Sequence, residues 1–241
     1  MKIPLKELVA VIIVNMISAF VIFLTRDSSI FPIMLQIVLL ILGFVGFYLL
    51  YRSTNIKVSL AIFILLGIYG LIIETTSIKT GFPYSKFQYL DMMGYKLYSI
   101  VPYTVFLIWP TLVISAYSLS EFIAKKRFYR IIVTTILLLS LDLVFDPVAT
   151  GLGFWKWEQT GLYYGVPFLN FLGWIFSSLI SSIIVFQLLQ KFSIGNKYLV
   201  LIYLGNLILW TFLSIMMGMF IPLIVSSIIF LILFKKFHLI K

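Results

Sequence analysis

Long apolar runs separated by short polar segments make up nearly the whole of this chain. A window of about 19 residues finds candidate spans near 8–24, 30–50, 58–74, 99–120, 131–149, 166–190, 199–217 and 220–234. Such runs predict helices, because a backbone in hydrocarbon must satisfy its hydrogen bonds within each segment. The pattern therefore predicts an all-α fold, a polytopic membrane helical bundle with about eight transmembrane helices.

The last two spans are predicted as two helices rather than one. Residues 199–234 contain no charge, and a single helix of that length would extend about 54 Å, far beyond the roughly 30 Å hydrocarbon core of a bilayer. A turn within Gly218–Pro222 resolves the mismatch and leaves a rather short eighth span.

The positive charges predict the orientation of the bundle. When successive loops are assigned to alternate sides, 13 Lys and Arg residues fall on one side and 5 on the other. Cytoplasmic loops of membrane proteins carry the excess of Lys and Arg. We therefore expect a multi-pass protein of the cell membrane with both termini in the cytoplasm and with the loops 75–98 and 150–163 outside.

Composition narrows the class of protein. Hydrophobic residues make up 62% of the 241 and charged residues 11%, with a mean hydropathy of +1.15, so we expect one integral-membrane domain over residues 1–241. The lack of Cys excludes thiol chemistry, and the single His, His238, lies in the basic tail. The net charge of +10 is scattered over short loops, which is typical of anchoring at a membrane surface and not of nucleic-acid binding.

Three of the eight carboxylates belong to the apolar runs. Glu74 closes the run 58–73, and Asp142 and Asp146 lie within the run 131–149. An ionisable side chain at membrane depth costs about 2.5 kcal/mol or more, which makes it a functional candidate by default. The spacing of four places the two Asp residues on one helix face, one turn apart.

Carboxylates, an amide and aromatic residues are expected at one depth, near the outer interface. In the predicted topology the three acidic residues lie toward the outer ends of their helices, beside the two long outer loops. The loops and the start of the sixth span add Tyr84, Trp155, Trp157, Tyr164, Asn170 and Trp174. The competing interpretations are structural, since Trp and Tyr populate any membrane interface and Asp146-Pro147 is typical of a helix end.

A site of this composition favours acid–base chemistry on an apolar substrate. Burial and a second carboxylate both disfavour the charged form of a carboxyl group, so paired buried carboxylates combine a proton donor with an ionised base. Aromatic faces stabilise a nearby cation. We therefore expect a site that protonates an electron-rich alkene, holds the carbocation and directs its capture, with the substrate coming from the bilayer.

Two blocks of sequence between about residues 70 and 180 carry a family resemblance. The first is Glu74, TGFPY at 80–84 and Tyr89, followed by Val101-Pro102 and Trp109-Pro110. The second is D-x-x-x-D-P from Asp142, W-x-W from Trp155, and G-x-P-x-x-N-x-x-G-W ending at Trp174. Together they resemble the integral-membrane carotenoid 1,2-hydratases of the bisanhydrobacterioruberin hydratase type. That family commonly has T-G-x-P-F-G-x-Y in the first block, where this chain departs at residues 84–87.

The resemblance implies hydration of the terminal C=C bond of an acyclic carotenoid in carotenoid biosynthesis. A proton adds to the less substituted carbon, a tertiary cation forms, and water captures it. No cofactor or metal is implied. The implied partners are a lipophilic polyene from the bilayer, membrane lipids and other carotenoid-pathway enzymes, with no nucleic acid.

We assign the expected roles as follows. The catalytic residues are Asp142, Asp146 and Glu74, with Asp142, one turn deeper, as the proton donor and Glu74 or Asp146 as the base. Asn170 would position water, and the Trp residues would flank the cation. The expected substrate-binding residues are Trp155, Trp157, Asn170, Trp174, Tyr84 and Tyr164.

Three other functions stay open at this point. A carotenoid end-group cyclase forms the same cation but captures it with an internal alkene. An intramembrane prenyltransferase needs two Asp-rich motifs that hold Mg²⁺, and this chain has one D-x-x-x-D. A proton-coupled transporter would also use intramembrane carboxylates, although the chain shows no inverted repeat of the kind that many transporters have.

Overall fold

The computed structural model describes residues 3–237, with side chains through residue 235, and this part of the chain folds into eight helices. Seven of these are long and apolar enough to cross a membrane, and the eighth is a shorter apolar helix over Phe220–Lys235. The predicted all-α polytopic bundle is confirmed, whereas His238 lies outside the described residues. The helices are α1 Leu5–Thr25, α2 Phe31–Ser53, α3 Ile56–Thr80, α4 Val105–Ile123, α5 Tyr129–Leu152, α6 Phe168–Leu188, α7 Lys197–Met216 and α8 Phe220–Phe237.

Several helix ends differ from the hydropathy-based prediction for local reasons. Both α3 and α5 extend past their predicted ends at 74 and 149 and stop at a glycine in the left-handed region, Gly81 (φ 88°) and Gly153 (φ 80°). Glycine adopts this conformation at little cost, which makes it a common helix terminator. α4 starts at Val105 and not at 99, because residues 96–102 contain a short strand pair. The turn predicted between the last two helices is present at 217–219.

Pro147 does not end α5, contrary to one interpretation of Asp146-Pro147. The helix continues to Leu152. A proline inside a helix leaves the carbonyl four residues earlier without its donor, and here that carbonyl belongs to Leu143. The hydroxyl of Tyr163 donates to it at 2.7 Å, so the loop before α6 replaces the hydrogen bond that Pro147 removes.

α4 is the centre of the bundle and packs against α2, α3, α5, α6 and α7. Two of these helices approach it through glycines spaced three apart, and a Cβ atom at any of the four would lie only 2.6–3.1 Å from its neighbour. Small residues let helix backbones come together in lipid, where the hydrophobic effect does not drive association. The contacts are Gly43 with Leu107, Gly46 with Thr111, Gly67 with Phe106 and Gly70 with Trp109.

Two long loops cover one end of the bundle and pair with each other. Strand β1 (Phe87–Tyr89) runs antiparallel to β4 (Trp155–Trp157), with Phe87 opposite Trp157 and Tyr89 opposite Trp155. A second short pair joins β2 (Lys96–Leu97) to β3 (Val101–Pro102). The pairing of β1 with β4 joins the loop after α3 to the loop after α5 and holds both over the bundle.

Ion pairs connect the elements at the opposite end. Lys197 at the start of α7 pairs with Glu7 near the start of α1 at 2.7 Å, and Arg130 at the start of α5 pairs with Glu121 near the end of α4 at 2.7 Å. The starts of α1 and α7 therefore lie at the same end, as alternating spans require. The cytoplasmic location of this end stays a prediction from the charge bias.

Candidate active site

A cavity of about 200 Å³ lies inside the bundle beneath the paired loops. Helices α1 to α7 and both long loops contribute to its wall, which is mostly apolar and carries a few polar groups. A largely apolar pocket with a few polar groups is typical of a small-molecule site. Among the described residues, no group of three or more Asp, Glu or His side chains is spaced to hold a metal ion.

Asp142 and Asp146 project from one face of α5 toward Asn170, which lies in the first turn of α6. The amide nitrogen of Asn170 donates to Asp142 Oδ2 at 3.2 Å and to Asp146 Oδ2 at 2.5 Å. All three side chains are buried, and Asp142 Oδ1 has no hydrogen-bond partner in the described part of the chain. Two carboxyl groups buried against the same amide nitrogen are more stable when at least one of them is protonated, because burial and like-charge repulsion both disfavour a doubly charged pair.

Only one of the two aspartates lines the cavity. Asp146 and Asn170 line its wall, whereas Asp142 lies one helical turn deeper and is not part of the wall. Asp142, the predicted proton donor, therefore does not contact a molecule in the cavity directly, whereas Asp146 can. The only side chain that contacts both carboxylates in the described hydrogen bonds is Asn170.

Glu74 makes the second polar contact on the cavity wall, with Tyr89. The Tyr89 hydroxyl donates to Glu74 Oε2 at 3.1 Å. Tyr89 ends β1, so the pairing of β1 with β4 holds it over α3. Burial and the adjacent Glu74 carboxylate raise the pKa of Tyr89 well above its usual value, so its hydroxyl keeps its proton and acts as a donor at neutral pH.

All five tryptophans of the chain line this cavity. None is more than 8% exposed, so they do not form the lipid-facing aromatic belt that was the competing interpretation. The Phe145 ring joins two of them, with its centroid 5.2 Å from Trp155 and 4.6 Å from Trp210. Indole faces attract cations, so this wall suits a positively charged intermediate. The five are Trp109 of α4, Trp155 and Trp157 of β4, Trp174 of α6 and Trp210 of α7.

Of the two tyrosines predicted at the site, only Tyr84 lines the cavity. It is buried against Gly173 of α6, where a Cβ atom would come within 2.5 Å of the Tyr84 ring. Tyr164 is not part of the wall. Its backbone has a φ of 50° in a tight turn, and its hydroxyl accepts a bond from the Ile221 backbone nitrogen at 3.4 Å. The turn therefore directs Tyr164 toward α8 and away from the predicted site.

The cavity wall also contains aromatic residues that were not predicted as site residues, namely Phe87, Tyr89, Trp109, Phe145, Phe154 and Trp210. The segments Phe87–Tyr89 and Trp155–Trp157 share an aromatic–polar–aromatic pattern, and this alternation is typical of paired strands. This pattern and the place of Tyr89 in the first of the two sequence blocks were the available signals for Tyr89. Trp109 belongs to the first of the two sequence blocks, whereas Phe145 and Trp210 lie within apolar helices, where an aromatic residue carries no specific signal.

A match to a known protein family covers nearly all of the residues that line the cavity. Residues 33–233 match the family described as carotenoid biosynthesis protein. The chain belongs to the carotenoid biosynthesis protein family. The matched range includes both polar contacts of the cavity and every residue of its wall except Ile22.

The chain is also similar to bisanhydrobacterioruberin hydratase of Haloarcula japonica. The two are 34% identical over 116 residues, which is 46% of this chain and 39% of the relative. The matched part therefore spans well under half the length of that protein. No solved structure matches the chain. Both matches confirm the family resemblance carried by the two sequence blocks.

Proposed function

We propose that this member of the carotenoid biosynthesis family adds water to the terminal C=C bond of an acyclic carotenoid. The observation that carries the proposal is the tryptophan-lined apolar cavity with Glu74, Asp146 and Asn170 on its wall. An apolar polyene end fits such a wall, and the carboxyl groups supply an acid and a base. The name of the similar hydratase supports the same chemistry.

In the first step the Asp142–Asp146 pair supplies the proton. Asp146 lines the cavity, so it is the group that reaches the alkene. Asp142 lies behind it against the same amide nitrogen of Asn170, and a second carboxyl group this near disfavours the charged form of Asp146, so Asp146 holds its proton until the alkene takes it. The π electrons of the terminal alkene take the proton at the less substituted carbon, which leaves a tertiary cation. Nearby indole faces stabilise that cation.

In the second step water captures the cation. Its oxygen forms the new C–O bond, and its proton passes to the Glu74 carboxylate, whose Oε2 is held by Tyr89. The product is a tertiary alcohol. One proton has left the aspartate pair and one has reached Glu74, so exchange with water restores the starting state.

The test uses purified protein in lipid vesicles, lycopene as the acyclic carotenoid, and water enriched in heavy oxygen. A hydratase yields a product that is heavier by one water and carries the label in a tertiary alcohol. A cyclised product of unchanged mass, without label, would replace the hydratase by the end-group cyclase. Recovery of unchanged lycopene from vesicles that contain folded protein would contradict both.

A further inference from the structure

The cavity is too small to enclose an acyclic carotenoid. Its volume is about 200 Å³, whereas pockets that enclose drug-sized ligands have roughly 300–1,000 Å³. A linear polyene with the length of a carotenoid is larger than such ligands. If the cavity binds such a substrate, most of the polyene must lie elsewhere.

One side of the cavity wall reaches the lipid-facing surface. Four residues of α2 at positions i, i+3, i+4 and i+7 line the cavity on a single helix face, and Ile22 of α1 lines it from the neighbouring helix. Val38 belongs to this wall although 58% of it is exposed. A side chain that is both part of a cavity and exposed lies at its mouth. The α2 residues are Leu35, Val38, Leu39 and Leu42.

Helix packing leaves a gap on this side of the cavity. α1 packs mainly against α7, and α2 mainly against α4, so neither helix covers the gap between them. The end of the cavity beneath the paired loops is covered by those loops, in which the ring centroids of Phe87 and Trp157 are 5.1 Å apart. Access from the bilayer therefore runs sideways, between α1 and α2.

We propose that one end of the polyene enters the cavity through a lateral opening between α1 and α2, while the rest of the substrate stays in the bilayer. This proposal rests on the proposed function, since it takes the polyene as the occupant. All five residues that mark the opening are apolar, as lipid and a hydrocarbon chain require. The substrate class is therefore defined by its end group and not by its length.

Narrowing the opening tests this route. Val38→Phe places a larger ring at the mouth, whereas Ile41→Phe adds the same ring at a residue of α2 that is 58% exposed and does not line the cavity. Because all five tryptophans line the cavity, quenching of their fluorescence by lycopene reports occupancy without any turnover. Neither substitution adds or removes a tryptophan, so the signal is comparable in all variants.

We expect Val38→Phe to slow the association of lycopene with protein in vesicles about tenfold, with Ile41→Phe within twofold of the natural protein. Equal association rates for Val38→Phe and Ile41→Phe would overturn the lateral opening. If the variants show the expected association rates but the natural protein forms no hydrated product, the proposed function is wrong and the lateral opening is still supported. Gel filtration of each variant in detergent checks that it is folded.

A second measurement tests partial enclosure. A shortened apo-lycopenal keeps one dimethyl alkene end and lacks the far half of lycopene. We expect it to quench the tryptophans to the same extent as lycopene, within about a fifth, because the cavity receives only the common end. Quenching that falls in proportion to polyene length would show that the whole chain is enclosed and would overturn the proposal.

Discussion

At the scale of single residues, Asn170 is the centre of the site because one amide nitrogen serves two buried carboxylates. A buried polar group without a partner costs about 1–3 kcal/mol, so such a network is stable only when its members stay together. Asp142 Oδ1 is already without a partner in the described part of the chain. The protonation of the two aspartates is therefore sensitive to a change in any of the three residues of the network, Asp142, Asp146 and Asn170.

Replacing Asp146 by Asn should reduce turnover by about 10² or more, the usual size of a general acid–base contribution. The amide has nearly the shape of the carboxyl group, so the variant should remain folded. The measurement is the rate of hydrated-product formation in vesicles, with Glu158→Gln as the control at an exposed carboxylate. Full activity in both Asp146→Asn and Asp142→Asn would give the pair a purely structural role.

Replacing Tyr89 by Phe should reduce turnover about 10- to 100-fold, because a hydrogen bond to a charged group contributes roughly 1.5–3 kcal/mol. The change keeps the ring that packs on Phe87 and Trp155 and removes only the bond to Glu74. Tyr98→Phe, at a residue that is 94% exposed, is the control. If Tyr89 acts through Glu74, the loss in Glu74→Gln with Tyr89→Phe should be smaller than the product of the two single losses. Independent, multiplying losses would contradict this role.

At the scale of elements, the long α5 depends on a substitute hydrogen bond. Pro147 cannot donate to the Leu143 carbonyl, and the Tyr163 hydroxyl does so instead. This bond also ties the start of the 161–166 turn to α5. The 161–166 turn sets the direction of the Tyr164 side chain. It also leads into α6, and Asn170 lies in the first turn of that helix.

Replacing Tyr163 by Phe should destabilise the protein by about 0.5–1.5 kcal/mol, the usual net contribution of one hydrogen bond, because it leaves the part-buried Leu143 carbonyl without a donor. In a Pro147→Ala background the loss should be smaller, since the alanine backbone nitrogen can donate to Leu143. Thermal unfolding in detergent measures both. Tyr164→Phe is the matched control and should change neither stability nor turnover by much, because its 3.4 Å contact is long. Equal losses in both backgrounds would show that Tyr163 does not replace the missing bond.

At the scale of the whole molecule, the charge bias predicts which end faces the cytoplasm. The chain has no Cys, so single Cys substitutions report exposure cleanly. Lys156→Cys should react with a membrane-impermeant maleimide in intact cells, whereas Lys125→Cys, at the opposite end, should react only after permeabilisation. Both positions are exposed in the fold. The reverse labelling pattern would invert the orientation and place the paired loops inside.

The hydropathy pattern predicted the eight helices and the position of the acidic residues at one end of the bundle, because lipid places the same requirement on each segment of the chain separately. Each span must be apolar and must satisfy its own backbone hydrogen bonds, so the spans are visible residue by residue. The carboxylates stood out for the same reason, since a charge in lipid is costly. The family motifs around Asp142, Trp155 and Asn170 then indicated the chemistry.

Only the tertiary structure decided which side chains share the cavity. Tyr89 meets Glu74 because β1 pairs with β4 across a gap in sequence, Tyr164 turns away because of its strained turn, and Asp146 rather than Asp142 lines the wall. The opening beside Val38 depends on which helices α1 and α2 pack against. These facts depend on contacts between distant segments, and a hydropathy pattern contains no information on such contacts.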